Sequence, residues 1–308
     1  MVKLLFLILF IITYTNAKEP ILPIPLQLSA DLQKAKLGKM LFEDPLFSQD
    51  NSTSCLSCHN IYSGGADTKE VSSGFNNMQG DIHSPTVLNA VYNFRQFWNG
   101  RAADLKEQID GPIHNKVEHN MDKTLIEKRL NSSTLYKKEF SKIYHIQTIG
   151  YTHFVDALVA FEKTLTTPNA KFDRYLRGEL QLEPKELEGY KLFKQYGCIT
   201  CHNGINIGGN SFQKMGTFKE YKTARSYPDR SHVTHKISHK NVFKVPTLRN
   251  ISLTAPYFHD ASAKSLEEAV EKMSIFNLGI HLCKEEIDTI VVFLHTLEGE
   301  TPAILEMQ

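Results

Sequence analysis

Cys55-Leu56-Ser57-Cys58-His59 and Cys198-Ile199-Thr200-Cys201-His202 are two copies of one pentapeptide, Cys-x-x-Cys-His, in a chain of 308 residues. The pattern supplies what covalent attachment of a c-type haem needs. Two neighbouring thiols can bond the two vinyl groups of one porphyrin, and the adjacent histidine can coordinate iron from one face. Four of the five cysteines fall in these motifs. Two other chemistries use CxxC pairs. A zinc ribbon separates its pairs by about 15–20 residues, and a thioredoxin-like motif wants a βαβ context. Here more than a hundred residues intervene, each pair carries its own histidine, and no βαβ pattern is visible. Two haems, and therefore redox chemistry, are the expectation.

The N-terminus begins Met1-Val2-Lys3, runs apolar from Leu4 to Ile12 and reaches Thr15-Asn16-Ala17, a small-residue cleavage pattern. The run is shorter than the roughly 20 apolar residues that span a bilayer. Residues 1–17 therefore read as a secretory signal, with an uncleaved anchor as the alternative, and export places the chain in the periplasm. No later stretch is long and apolar enough to span a membrane. The remainder exceeds one domain of about 100–200 residues. A hydrophobic fraction of 41% and a formal net charge of +1 are ordinary, and nothing points to nucleic acid. A near-neutral total still permits a charged docking face, because local patches steer association.

Both halves repeat one plan, which points to internal duplication. Residues 30–43 place Leu32, Ala35, Leu37, Met40 and Leu41 largely on one helical face and lead into Cys55. Pro184 opens a helix carrying Leu187, Tyr190, Phe193 and Tyr196 that leads into Cys198. Proline suits a first helical turn, where its missing N–H has no intrahelical partner anyway. Lys39-Met40-Leu41-Phe42 and Tyr190-Lys191-Leu192-Phe193 are alike in character. Helices are also predicted over 152–165, 265–273 and 285–297, the second opened by the capping box Ser265-x-x-Glu268. Thr167-Pro168-Asn169 breaks the pattern, giving domains at 18–166 and 167–308. Segments 60–120 and 203–262 are rich in Gly, Asn, Ser and Pro and read as long ordered loops. Strand signal is weak. The expected fold is mainly α, with two cytochrome c-like domains, each with one covalently bound c-type haem.

Longer stretches carry a resemblance. Ser84-Pro85-Thr86-Val87-Leu88-Asn89-Ala90, Gln96-Phe97-Trp98-Asn99-Gly100-Arg101-Ala102, Gly111-Pro112-Ile113 and Val117-Glu118 stand in the first half. Pro246-Thr247-Leu248-Arg249-Asn250 and Pro256-Tyr257-Phe258-His259 stand in the second. In this order, around both motifs, the chain resembles the bacterial diheme cytochrome c peroxidases over nearly all of residues 18–308. The resemblance implies a peroxidatic haem on Cys55, Cys58 and His59. It implies an electron-transfer haem on Cys198, Cys201 and His202, with Met273 on its far side. A thioether ligand raises haem potential, although most helical methionines simply fill cores. The resemblance also places Trp98, the only tryptophan, between the haems. Glu118 and Gln108 match the family's polar pair over the peroxidatic iron. A carboxylate there can shuttle the peroxide proton, and the glutamine can hold the peroxide. The donor implied is a small periplasmic cytochrome c or cupredoxin, and the family commonly forms homodimers.

Two positions depart from the family. In many members a histidine sixteen residues after the first haem-ligating histidine occupies the sixth position of the resting peroxidatic haem; here that residue is Phe75. The expectation is an open first haem that needs no reductive activation, with His83 and His119 as the substitute ligands that could close it. The family's inter-domain calcium uses an asparagine, replaced here by His83 after Ile82. Thr254 and Pro256 match its carbonyl donors, but calcium prefers oxygen to imidazole, which counts against the ion. Cys283 is left over and reads as a buried inert thiol; His232, His235 and His239 read as an exposed loop. The function expected is reduction of hydrogen peroxide to water. The alternatives are an electron-transfer protein without turnover, and a diheme oxidase acting on a partner protein.

Overall fold

A computed structural model describes residues 19–26, 30–223 and 226–307, so the signal reading of residues 1–17 lies outside the described residues. The first half contains α1 (Leu32–Glu43), α2 (Cys55–Cys58), α3 (Leu105–His114), α4 (Lys123–Ser132), α5 (Thr134–Tyr144) and α6 (Tyr151–Glu162). The second contains α7 (Lys171–Leu176), α8 (Pro184–Gln195), α9 (Ser231–Thr234), α10 (Leu266–Met273), α11 (Lys284–His295) and α12 (Ala303–Glu306). Strands β1 (Phe212–Lys214) and β2 (Val242–Lys244) pair antiparallel, with Phe212 opposite Lys244.

Each half is built on one helix pair, and each pair needs a glycine. In the first, α1 crosses α6 at Gly38, where a Cβ would stand 2.0 Å from the Ala157 carbonyl oxygen. In the second, α8 crosses α11 at Gly189, where a Cβ would stand 2.2 Å from the Thr289 carbonyl oxygen. Aromatic rings close around both crossings: Phe42 meets Phe161 at 5.3 Å and Tyr190 meets Phe293 at 5.1 Å between centroids. The likeness of 39–42 and 190–193 is thus the likeness of two helices entering the same crossing. The apolar stripe of each is the core side of its helix, where a fully buried large side chain contributes about 1.5–3 kcal/mol.

The duplication continues at one constant offset through the irregular segments. Pro85-Thr86 and Pro246-Thr247 lead to Asn89 and Asn250, both in the left-handed region at φ 60° and 56°, a conformation asparagine tolerates. Both side chains clamp Thr167, their Nδ2 atoms each 2.8 Å from its Oγ1. Residues 96–102 and 257–263 then form matching loops, closed by bridges between Gln96 and Ala102 and between Tyr257 and Ala263. Each loop feeds a capped helix: Asp104 accepts from the Glu107 N–H at 2.9 Å to start α3, and Ser265 accepts from the Glu268 N–H at 3.2 Å to start α10.

The termini cross over. Ile21 belongs to the core of the second half and Ile304 to that of the first. Arg249, fully buried, ties this arrangement: it donates to Asp173 at 2.7 Å, to the Leu22 carbonyl at 2.9 Å and to the Ile205 carbonyl at 2.9 Å. Within 60–120, read from sequence as loop, stands α3; its apolar residues Leu105, Ile109 and Ile113 are spaced for a helix, and Pro112 inside it disguised the pattern. Helices α4 and α5 were likewise not anticipated. They bury only Ile126, Leu130, Tyr136 and Phe140, so their periodicity is sparse.

Candidate haem and peroxide site

One short turn of helix puts Cys55 and Cys58 on a common side, since residues three apart are neighbours on a helix surface. His59 follows, its N–H on the Cys55 carbonyl at 2.9 Å. The second motif repeats this on a 3-10 turn, Cys198–Thr200, with the His202 N–H on the Cys198 carbonyl at 3.0 Å. All four thiols are free and half-buried, and burial pushes them up, Cys198 to about 11. Burial also holds both imidazoles neutral, His202 near 4. His59 Nδ1 lies 3.3 Å from the Gly65 carbonyl and His202 Nδ1 3.3 Å from the Ile207 carbonyl. An N–H at Nδ1 leaves the Nε2 lone pair for a metal, the arrangement usual for ligating histidines. These donors fit a haem iron at each motif.

A polar group follows α3. Glu118 follows α3 by one tight turn, in which the His119 N–H reaches the Pro112 carbonyl at 3.3 Å. Its Oε1 accepts from Asn115 Nδ2 at 2.5 Å. Burial raises the Glu118 carboxyl above its ordinary range, with the Asn115 bond and the nearby Arg101 guanidinium opposing. Its charge is felt at both Cys55 and Cys58, and that of Glu162 more strongly at Cys55. Gln108, on α3, has a buried Oε1 without a hydrogen-bond partner. Such an orphan in a native structure calls for a ligand or a catalytic use. Phe75 is half-buried, and its N–H donates to the Glu118 carbonyl at 2.6 Å. The segment that presents a histidine in other members therefore still runs against the acid.

A small apolar cluster holds Met273. Met273 ends α10 and packs with Trp98, Phe258 and Phe276 around Met215, Tyr221 and Phe243. Residues Ser274–Leu278 continue it as a π-helical turn, a geometry frequent at functional sites. Trp98 reaches this cluster from the first half. Its Nε1 donates to the His83 carbonyl at 2.8 Å, and its ring meets His259 edge-on at 6.2 Å. Trp98 and His259 hold the same place in the two repeated loops, so the halves meet at equivalent residues. By the same register Met273 corresponds to Pro112 in α3.

The two proposed substitute ligands are held at Nδ1 in the same manner as His59 and His202. His83 is buried with Nδ1 3.1 Å from the Lys69 carbonyl, and His119 is buried with Nδ1 2.9 Å from the Phe47 carbonyl. Where an asparagine is expected to serve calcium, this chain has the His83 imidazole, and its nitrogen does not fit an ion that prefers oxygen. Among the described residues no group of three or more His, Cys, Asp or Glu could hold a metal ion by itself. His232 turns to Asp229 and His239 to Thr234. Cys283, read as buried, is exposed instead, because it caps α11 from outside the core. Asn115 was missed. Its signal is an asparagine three residues before the acid, at a helix end where a side-chain amide finds a partner locally.

A family model described as di-haem cytochrome c peroxidase matches residues 32–181. The chain is 47% identical over 287 residues to a cytochrome c551 peroxidase of Nitrosomonas europaea, covering 93% of this chain and 86% of that one. It is 40% identical to a cytochrome c551 peroxidase of Pseudomonas aeruginosa, over 88% and 80% of the two chains. A crystal structure of a MauG-like protein associated with microbial copper homeostasis shares the fold, with a TM-score of 0.80 at 23% identity over 93% of this chain and 95% of that one.

Proposed function

The chain belongs to the di-haem cytochrome c peroxidase family, and from that premise we propose how its own residues divide the reduction of hydrogen peroxide. Cys55, Cys58 and His59 hold the first haem; Cys198, Cys201, His202 and Met273 hold the second. When bound, the haems supply one-electron carriage and an iron coordination position for peroxide. Glu118 takes the proton from one peroxide oxygen and delivers it to the other as the O–O bond breaks, which is general acid–base work. Gln108 offers its unpartnered Oε1 to the remaining peroxide O–H. Asn115 holds the carboxylate in place, and Arg101 opposes its protonation. Two electrons and two further protons complete two waters.

One observation carries this reading: a half-buried carboxyl, raised by desolvation and held by Asn115, acts electrostatically on the Cys55 and Cys58 pair. Phe75 has no lone pair, which supports a first haem open at rest. Trp98 bridges the two halves. The domains run over 18–166 and 167–308, with the two ends exchanged. The mature chain works in the periplasm with a small cytochrome c or cupredoxin as donor, as a homodimer. Residues 1–17 support export, and among the described residues no helix is long and apolar enough to cross a membrane. The deciding experiment is peroxide turnover of haem-loaded Glu118→Gln with a small-molecule reductant. Turnover within a few-fold of the parent protein, at equal haem content, rejects the assignment of Glu118.

A further inference from the structure

The face over the Met273 turn is apolar, exposed and ringed by lysines. A cavity of about 560 Å³ opens there, with Phe218 and Ile237 on its rim and Met215 and Tyr221 on its floor. Phe218 is 69% exposed and Ile237 91%. Large side chains this open to water, set together in a polar ring, mark interaction surfaces rather than ordinary exterior. Lys214, Lys219, Lys222, Lys236 and Lys240 are all exposed around them. The one acid lining the cavity among the described residues is Glu220, whose carboxylate stands 3.7 Å from Lys222.

The face is also continuous with the second redox centre. Met215 and Tyr221 belong to the cluster that holds Met273. The Phe218 N–H donates to the Phe276 carbonyl at 3.0 Å, and the Gly216 N–H to Asn277 Oδ1 at 3.0 Å. Lys219 Nζ stands 5.5 Å over the Phe276 ring. A protein seated here is therefore separated from Met273 by one layer of side chains.

We propose that this face, built from residues 214–222 and 236–241, docks a small acidic electron-transfer protein that presents an apolar patch ringed by carboxylates. The inference rests on the reading that electrons enter through the His202 and Met273 side. Charge selects the occupant. Like charges facing each other across an interface cost several kcal/mol, and a two-fold dimer through this face sets the same five lysines against themselves. An acidic partner gains steering instead, worth about 10–10³-fold in association rate at low salt. The area is small, as suits transient redox encounters.

The test uses the haem-loaded full chain, with reduced plastocyanin as an acidic cupredoxin and reduced mitochondrial cytochrome c as a basic probe. Reduction of the second haem, followed by absorbance, is expected to be faster with plastocyanin and to slow steeply with added salt. Lys214→Glu, Lys219→Glu and Lys240→Glu combined should cut that rate at least about tenfold at low ionic strength, and the difference should vanish in high salt. Phe218→Ser with Ile237→Ser should slow it at every salt concentration. Peroxide turnover with a small dye reductant should stay unchanged in both variants, which shows that they fold and load haem. A salt-independent rate, or preference for the basic probe, overturns the proposal. So does a change of sedimenting mass in the serine variant with the donor rate unaltered, which makes the face a self-interface. Binding of the chain to phosphatidylglycerol vesicles, abolished by the lysine changes while the donor rate stands, overturns it as well. If the parent protein shows no turnover with the dye, the peroxidase assignment fails separately, and the absorbance measurement still decides the docking face.

Discussion

His59 and His202 are held alike: each Nδ1 is 3.3 Å from a carbonyl oxygen, and each imidazole is buried and neutral. The residues brought up by the following repeat are not alike. In the first half, α3 reaches Pro112 at the position where α10 has Met273. Proline removes a backbone N–H; α3 runs on to His114, and the chain then turns through Asn115 to present Glu118. In the second half the chain keeps its helical path, widens into the Ser274–Leu278 π-turn and leaves Met273 in an apolar cluster. One scaffold thus yields a polar site and a greasy one through the fate of a single helix end. A thioether in an apolar shell favours a high potential; a buried acid favours proton transfer.

The comparison breaks most visibly at Glu118. Glu118→Gln keeps the shape and the Asn115 contact but removes the base. Peroxide turnover should fall about 10²–10⁴-fold, the usual weight of a positioned acid–base group, while reduction of the second haem by donor is unaltered. The parent protein supplies a second check. Burial raises the Glu118 carboxyl, and the base form is the active one. Reactivity toward peroxide should therefore decline with falling pH, with a midpoint above the ordinary carboxylate range.

Phe75→His makes the first site resemble the second in coordination. An imidazole placed where the Phe75 N–H already meets the Glu118 carbonyl can close the open position. Binding-competent protein then falls with the open fraction; at about 1% open the oxidised protein reacts about 100-fold more slowly. The readout is an electron paramagnetic resonance spectrum. The parent protein should show a high-spin ferric signal equal to one haem, and the variant should lose it. Two low-spin signals in the parent protein defeat the open-site reading.

Met273→His makes the opposite change. Replacing the thioether with an imidazole should lower the potential of the second haem by on the order of 0.1 V, a fraction of the roughly 0.8 V that axial ligands span. Potentiometric titration reads this directly. An unchanged potential leaves Met273 as packing in its cluster.

The sequence carried the motif ends of this comparison better than the joints between them. Cys-x-x-Cys-His spacing is local, so both motifs were legible, and each folds as one tight turn. So were α1, α6, α8 and α11, whose apolar stripes are dense, and α10, which its capping box announces. The correspondence of Pro112 with Met273 was not seen, because it appears only when two irregular loops are laid over each other at one offset. Those loops are held by Asn89, Asn250 and Thr167, three polar residues that carry no periodic signal. The exchange of ends was invisible for a related reason. Ile21 and Ile304 stand in short segments without helical periodicity, and only the fold shows which core each enters. Cys283 failed as a burial reading because a cysteine's usual hydrophobic habit gave way to its capping position on α11.

The smallest effect is expected at Asn115, and it separates holding the acid from being the acid. The Asn115 amide stabilises the charged form of Glu118 through one bond. Hydrogen bonds to charged groups are worth about 1.5–3 kcal/mol, and water can replace part of that at a half-buried site. Asn115→Ala should therefore lower peroxide reactivity at neutral pH only about tenfold, well short of the Glu118→Gln loss. It should also raise the Glu118 carboxyl further, because the bond that favours its charge is gone. The acidic limb of the pH profile then moves to higher pH, and much of the lost reactivity returns in alkaline buffer. Asn115→Asp, of similar size but repelling the carboxylate, should move the limb farther in the same direction. A uniform loss across pH would mean that Asn115 only shapes the turn after α3, and that the position of Glu118 is set by the backbone it shares with Phe75.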